Sequence, residues 1–161
     1  MSDQLTIVTE EPVIAKVKLE IPCLAEYVGV ARLAILGVAN RIAFTYDEVE
    51  DVRLAVGEAC THAIERAADR KTYLAAHGQE SQEPCTLTIA CTIDKSTLSI
   101  ELTDTIPVAE HVDTEPPAAE DGIDYQKLGT VLMEILVDQV TFETSSSGTT
   151  VRLVKTASQA N

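Results

Sequence analysis

The sequence predicts an α+β fold, a two-layer α/β sandwich in which a mixed, mainly antiparallel sheet is covered on one face by about three helices. Three observations predict it. An alternating segment at Val13–Ile21 is followed by two amphipathic segments rather than by a second strand. Two later pairs of short alternating runs, within 86–103 and 140–155, are each joined by a tight turn. A third segment of helical spacing, Tyr125–Val137, lies between those pairs.

Each element has a local reason. Residues 1–12 are polar and acidic and end in Glu10-Glu11-Pro12, which reads as a tail or a short edge strand. From Val13, the residues Ala15, Val17, Leu19 and Ile21 point one way while Lys16, Lys18 and Glu20 point the other, the mark of a half-buried strand closed by Pro22. Leu24, Val28, Ala31, Ile35, Val38 and Ala39 then recur at helical spacing. Thr45 and Glu48 form a capping-box pattern, so a second helix starts near Tyr46. Its stripe is Val52, Val56, Ala59, Cys60, Ala63 and Ala67, and its expected end is near Arg70 or Lys71, where cations suit a helix C-terminus. Lys71 to Pro84 reads as a loop.

Leu87, Ile89 and Cys91 share one face of the next strand and Leu98, Ile100 and Leu102 one face of its partner, with Asp94-Lys95-Ser96 as the turn. The segment 105–124 holds three prolines, six carboxylates and no Lys or Arg, and is expected to be a long lid-like loop. The third helix is expected to use Leu128, Val131, Leu132, Ile135 and Leu136 as its apolar side. The closing hairpin turns at Ser145-Ser146-Ser147-Gly148. One domain over 13–157 accommodates all of this without a linker or repeat.

Composition bounds the function. The net charge of −14 opposes nucleic-acid and anionic-membrane binding, because both are held by Lys and Arg. A partner with a basic surface suits such a chain better. No apolar run is long enough to span a bilayer, no signal peptide opens the sequence, and the expected location is cytoplasmic. The four cysteines, at 23, 60, 85 and 91, form no Cys-x-x-Cys pair. Cys85 and Cys91 would lie roughly 20 Å apart on one strand at ~3.3 Å per residue, too far for a disulfide. Reduced, buried thiols are the expectation.

The most informative stretch is Val56-Gly57-Glu58-Ala59-Cys60-Thr61-His62-Ala63-Ile64. Helical spacing puts Glu58 and His62 on one face, where a carboxylate and a second polar group are placed for acid–base or metal chemistry. On the first helix, Tyr27 and Arg32 mark a candidate partner surface.

With its flanks, this stretch resembles the anti-sigma-factor serine kinases of the RsbW type, within the wider GHKL (Bergerat-fold) ATPases. The likeness runs from Glu26-Tyr27-Val28-Gly29 through Thr45-Tyr46-Asp47-Glu48 to Glu58-Ala59-Cys60-Thr61, with weaker matches at Leu102-Thr103-Asp104 and Leu128-Gly129-Thr130. It implies an α/β sandwich with ATP held between the helices and a flexible lid. It further implies Glu58 as general base on a substrate serine, Asp104 as reader of adenine, Lys127 and Gly129 in a phosphate loop, and ATP with Mg²⁺ as cofactors. The chain departs from the family's pattern at three places. His62 stands where an Asn should ligate Mg²⁺, a hard ion that prefers oxygen, so no metal residue is assigned. Ile106 replaces a glycine after Asp104, and Gln126 and Lys127 replace two phosphate-loop glycines.

The reading that follows is a partner-switching regulator. It binds a sigma factor, a STAS-domain anti-anti-sigma factor or both, as a homodimer, with an impaired ATP site and no cofactor in use. The alternative is an active ATP-dependent serine kinase that phosphorylates the STAS antagonist.

Overall fold

The computed structural model describes residues 14–80, 84–107 and 124–158. Its elements are β1 (Ala15–Pro22), a 3₁₀ turn at Ala25–Tyr27, α1 (Val28–Ala39), α2 (Tyr46–Ala76), β2 (Thr86–Asp94), β3 (Thr97–Asp104), α3 (Tyr125–Leu136), β4 (Gln139–Ser145) and β5 (Gly148–Thr156). The five strands form one sheet in the order β1-β2-β3-β5-β4. Every pairing is antiparallel, so the sheet carries no parallel pair among the described residues. The expected tail at 1–12 and most of the 105–124 loop lie outside the described residues.

The alternation read from the sequence builds the core. Leu87, Ile89 and Cys91 from β2 and Leu98, Ile100 and Leu102 from β3 are buried beneath Ala31 and Ile35 of α1 and Val52, Val56, Ala59 and Cys60 of α2. In β1 only the C-terminal end is covered: Ile21 is buried and Leu19 half-buried, whereas Val17 is exposed. The capping box forms as read. Thr45 Oγ1 accepts from the Glu48 N–H at 3.2 Å, and Glu48 Oε2 accepts from the Thr45 N–H at 2.7 Å. Glu48 Oε1 also accepts the Ser158 N–H at 2.7 Å, which clips the end of the described chain to the start of α2.

Two elements differ from the sequence reading. First, α2 does not end at Arg70 or Lys71; it runs 31 residues to Ala76, through the start of the expected loop. Lys71-Thr72-Tyr73-Leu74-Ala75-Ala76 holds no glycine or proline, and Leu74 is buried. The effective stop is Gly78 at φ +67°, a conformation that glycine adopts without steric cost. Second, α3 is turned. Leu128, Val131, Leu132 and Ile135, expected in the core, face outward, with Ile135 74% exposed. Gly129, Met133 and Leu136 face inward instead. The cause is the close meeting of α3 with α2 described next.

Candidate active site

The side chains of interest lie where α2, α3 and the ends of β3 and β5 converge. Glu58, His62 and Arg66 follow one another at four-residue steps on α2, and so share a face. Gly129 of α3 comes down on the first two. A Cβ at position 129 would overlap His62 Nε2 and would lie 3.1 Å from His62 Cε1 and 3.2 Å from Glu58 Oε2. Only glycine fits there, because the imidazole already fills the space a side chain would need. This contact sets the rotation of α3 and leaves its leucines outside.

His62 is buried, at 7% exposure, and its pKa lies below the ordinary histidine value. Burial is the leading cause, Arg66 adds to it, and Glu65 and Glu58 oppose it. The ring is therefore neutral at pH 7. Thr61, beside it in sequence, bonds back to the Gly57 carbonyl at 3.0 Å and plays a helix-internal part.

Asp104 ends β3 and is 1% exposed. Its Oδ2 accepts from Arg66 Nη2 at 2.6 Å and from Arg66 Nε at 3.1 Å. Its Oδ1 accepts the Ile106 and Thr149 N–H groups, each at 3.1 Å. Both carboxylate oxygens are thus engaged by protein donors. Gly148 passes so close to the Asp104 carbonyl that no Cβ fits at position 148. Ile106, anchored through its amide to Asp104, is buried at 6% exposure.

At the start of α3, Asp124 takes the N-cap. Its Oδ1 accepts the Gln126 and Lys127 N–H groups, both at 3.1 Å, and its Oδ2 pairs with Lys127 Nζ at 3.5 Å. The Lys127 N–H bond leads the causes that hold the Asp124 carboxyl below its usual range. Lys127 itself projects into solvent, with its side chain 86% exposed. The amides that a helix N-terminus offers to an anion are here given to the chain's own carboxylate.

The structure therefore brings Glu58, His62 and Gly129 together and joins Asp104 to their row through Arg66. Lys127 stands apart at the helix entrance. Sequence reasoning missed Arg66 and Thr149. The signal for Arg66 was present, as the next four-residue step after Glu58 and His62; the Thr149 amide left none. No group of three or more His, Cys, Asp or Glu side chains is placed to hold a metal among the described residues. A cleft of about 830 Å³ opens beside this cluster, between the second half of α2 and the strand ends. Cys23, Ile64, Ala67, Lys71, Cys85 and Ile106 are among its lining residues, but Glu58, His62, Asp104 and Gly129 are not.

The first-helix surface also needs correction. Arg32 and Tyr27 are each only half-exposed: the Arg32 guanidinium lies over Gly57 of α2, with Cζ 2.8 Å from where a Cβ would stand, and Tyr27 packs partly on the core. The outward residues near this helix are Leu24, Val30 and Leu33, the last 71% exposed.

An all-antiparallel sheet with a carboxylate-bearing helix over it, a buried aspartate at the end of β3 and a glycine-bearing helix beyond define a class. A family model described as the histidine kinase-like ATPase domain matches residues 21–155, and the chain belongs to that family. Within it the likeness is to the RsbW type. The serine-protein kinase RsbW of Bacillus velezensis is 33% identical over 141 residues, covering 86% of this chain and 84% of that protein. RsbW of Bacillus subtilis is 32% identical over the same shares. The crystal structure of the RsbU and RsbW domains of a Mycobacterium tuberculosis protein aligns with a TM-score of 0.57 over 88% of this chain and 32% of that one. At 12% identity that match concerns the fold alone. No helix among the described residues is long and apolar enough to cross a membrane.

Proposed function

We propose that this protein is an anti-sigma-type regulator that works by partner switching, with a nucleotide site closed by its own side chains. It holds a sigma factor and exchanges it for a STAS-domain antagonist, through binding rather than through phosphoryl transfer.

The observation that carries the reading is the bonding of Asp104. A carboxylate that reads adenine must offer an oxygen to the exocyclic amino group. Here Arg66 takes Oδ2 twice, and the Ile106 and Thr149 amides take Oδ1. Opening that arrangement for a ligand means taking the cation away from a fully buried carboxylate, which is costly because that charge then stays unpaired. Two further observations support it. Asp124 caps the α3 amides that would receive phosphate. A neutral imidazole at position 62 replaces the oxygen ligand that Mg²⁺ prefers. ATP with Mg²⁺ would supply a transferable phosphoryl group, but these residues do not fit it, and no step is assigned to Glu58. The exposed apolar residues of α1 and α3 are surface of the kind that protein partners cover, and the acidic charge suits a basic partner.

Calorimetry with Mg·ATP and Mg·ADP tests the reading on the purified chain. No binding heat is expected, and micromolar affinity overturns it. Incubation with a STAS-domain partner and ATP, followed by mass spectrometry, tests the kinase alternative. Phosphoserine on the partner would establish kinase activity; its absence, for the unaltered protein and for His62→Asn alike, removes it.

A further inference from the structure

Cys23 and Cys85 are 62 residues apart in sequence and meet in the lining of the cleft. The β1–β2 register ends at Pro22 opposite Thr86, so the next directly opposed pair is Cys23 and Cys85. The Cys23 N–H donates to the Cys85 carbonyl at 3.0 Å, and the two sulfur atoms lie 2.6 Å apart. Opposed residues in an antiparallel ladder have Cα atoms about 4.5–5.5 Å apart. That lies within the roughly 4.4–6.8 Å over which a disulfide spans two residues. Both thiols are free in the structure.

We propose that Cys23 and Cys85 form a redox pair, closed to an intramolecular disulfide by a peroxide-class oxidant. The other two cysteines are unsuited to this. Cys60 and Cys91 are buried, and burial pushes their thiols up to about 12 and about 11. Within the pair the roles differ. Cys85 is half-buried, whereas Cys23 is buried, and burial, then the Cys85 thiol, then Asp104 push the Cys23 thiol up. Cys85, the more accessible sulfur, is therefore the one oxidised first, and Cys23 the resolving one.

The thiolate of Cys85 takes one oxygen from hydrogen peroxide, and with one proton this gives a sulfenic acid and hydroxide becomes water. The Cys23 sulfur then displaces the sulfenic hydroxyl, which leaves as a second water with the Cys23 proton. Two thiols lose two electrons and the peroxide is reduced to water. The disulfide fastens the strand end that leads into α1 to the strand start that follows α2.

The reduced 161-residue chain is exposed to stoichiometric hydrogen peroxide, alkylated in denaturant and mapped by mass spectrometry. Chymotrypsin is the protease to use, because Leu87 offers a cut between Cys85 and Cys91. The expected result is a loss of alkylatable thiols from four to two, one cross-linked peptide joining Cys23 to Cys85, and recovery of all four with dithiothreitol. Cys60→Ser and Cys91→Ser keep the link and Cys85→Ser abolishes it. Full alkylation after peroxide, a sulfinic acid at Cys85, or a link between two copies overturns the proposal. The map on the unaltered protein decides even if a variant fails to fold.

Discussion

Asp104 accepts two backbone N–H groups and pairs with Arg66; Asp124 accepts two backbone N–H groups and pairs with Lys127. The bonds are alike, and the surroundings are not. The Asp104 side chain has no exposed area, whereas 36% of the Asp124 side chain and most of Lys127 face water. Water can replace any bond that Asp124 loses. Nothing replaces the bonds of Asp104 without movement of β3, β5 or α2. The carboxylates at the two ends of the candidate nucleotide site thus make the same kinds of bonds, but breaking them has very different free-energy costs.

The largest expected effect follows from this. Arg66→Met leaves the buried Asp104 carboxylate without its cation and is expected to cost about 3–5 kcal/mol of stability by urea denaturation. The double variant Arg66→Met with Asp104→Asn should regain part of that loss, since no charge is then stranded. A cost within the range of a surface pair would break the comparison, because it would mean that water reaches Asp104.

Glu48 sharpens it, as a third carboxylate that accepts two backbone N–H groups, from Thr45 and Ser158, but is buried without a cation. Burial alone would raise its pKa, yet the Thr45 and Ser158 bonds outweigh it and lower the value from 4.5 to about 2. A depressed folded-state pKa means the stabilisation is present above the unfolded value and is lost as the carboxylate protonates. Glu48→Gln is therefore expected to cost on the order of 2–3 kcal/mol at pH 7. The difference from the unaltered protein should shrink as pH falls from 4.5 towards 2, read by denaturation at a series of pH values. A difference that stays constant across that window would locate the effect in packing rather than in charge.

How much of this was legible depended on sequence separation. The capping box spans three residues and was readable from Thr45 and Glu48 alone. So were the inward faces of β2 and β3, because a strand alternates. The Arg66–Asp104 pair spans 38 residues and the Cys23–Cys85 pair 62, and no local pattern reports which distant group a side chain will meet. The rotation of α3 was misread for a different reason. An apolar stripe predicts which face wants burial, but here the small inward face at Gly129 lets the helix approach Glu58 and His62, and that approach decides the orientation. The roles of Glu58, Lys127 and Gly129 came from the family likeness and not from spacing.

Gly129→Ala probes that approach. The new methyl must displace His62, and overpacking of this kind is expected to cost about 1–3 kcal/mol. If the imidazole is the obstacle, Gly129→Ala in a His62→Ala background should cost much less, a non-additivity visible in a double-mutant cycle. Additive losses would place the obstacle elsewhere on α2.

The smallest effect on stability belongs to Asp124→Ala, and its value lies in a second readout. The variant frees the Gln126 and Lys127 amides at the start of a 12-residue helix and leaves Lys127 beside them. A free helix N-terminus with an adjacent cation attracts anions. Because water reaches the Asp124 carboxylate, only a slight fall in melting temperature is expected, and the difference should fade in acid, where the lowered carboxyl of the unaltered protein protonates in its folded and unfolded states alike. Titration with inorganic sulfate at constant ionic strength should raise the melting temperature of Asp124→Ala and leave the unaltered protein unmoved. Equal responses would mean that the carboxylate does not compete for the anion seat. The phosphate end of the site would then be open, and Asp104 alone would close it.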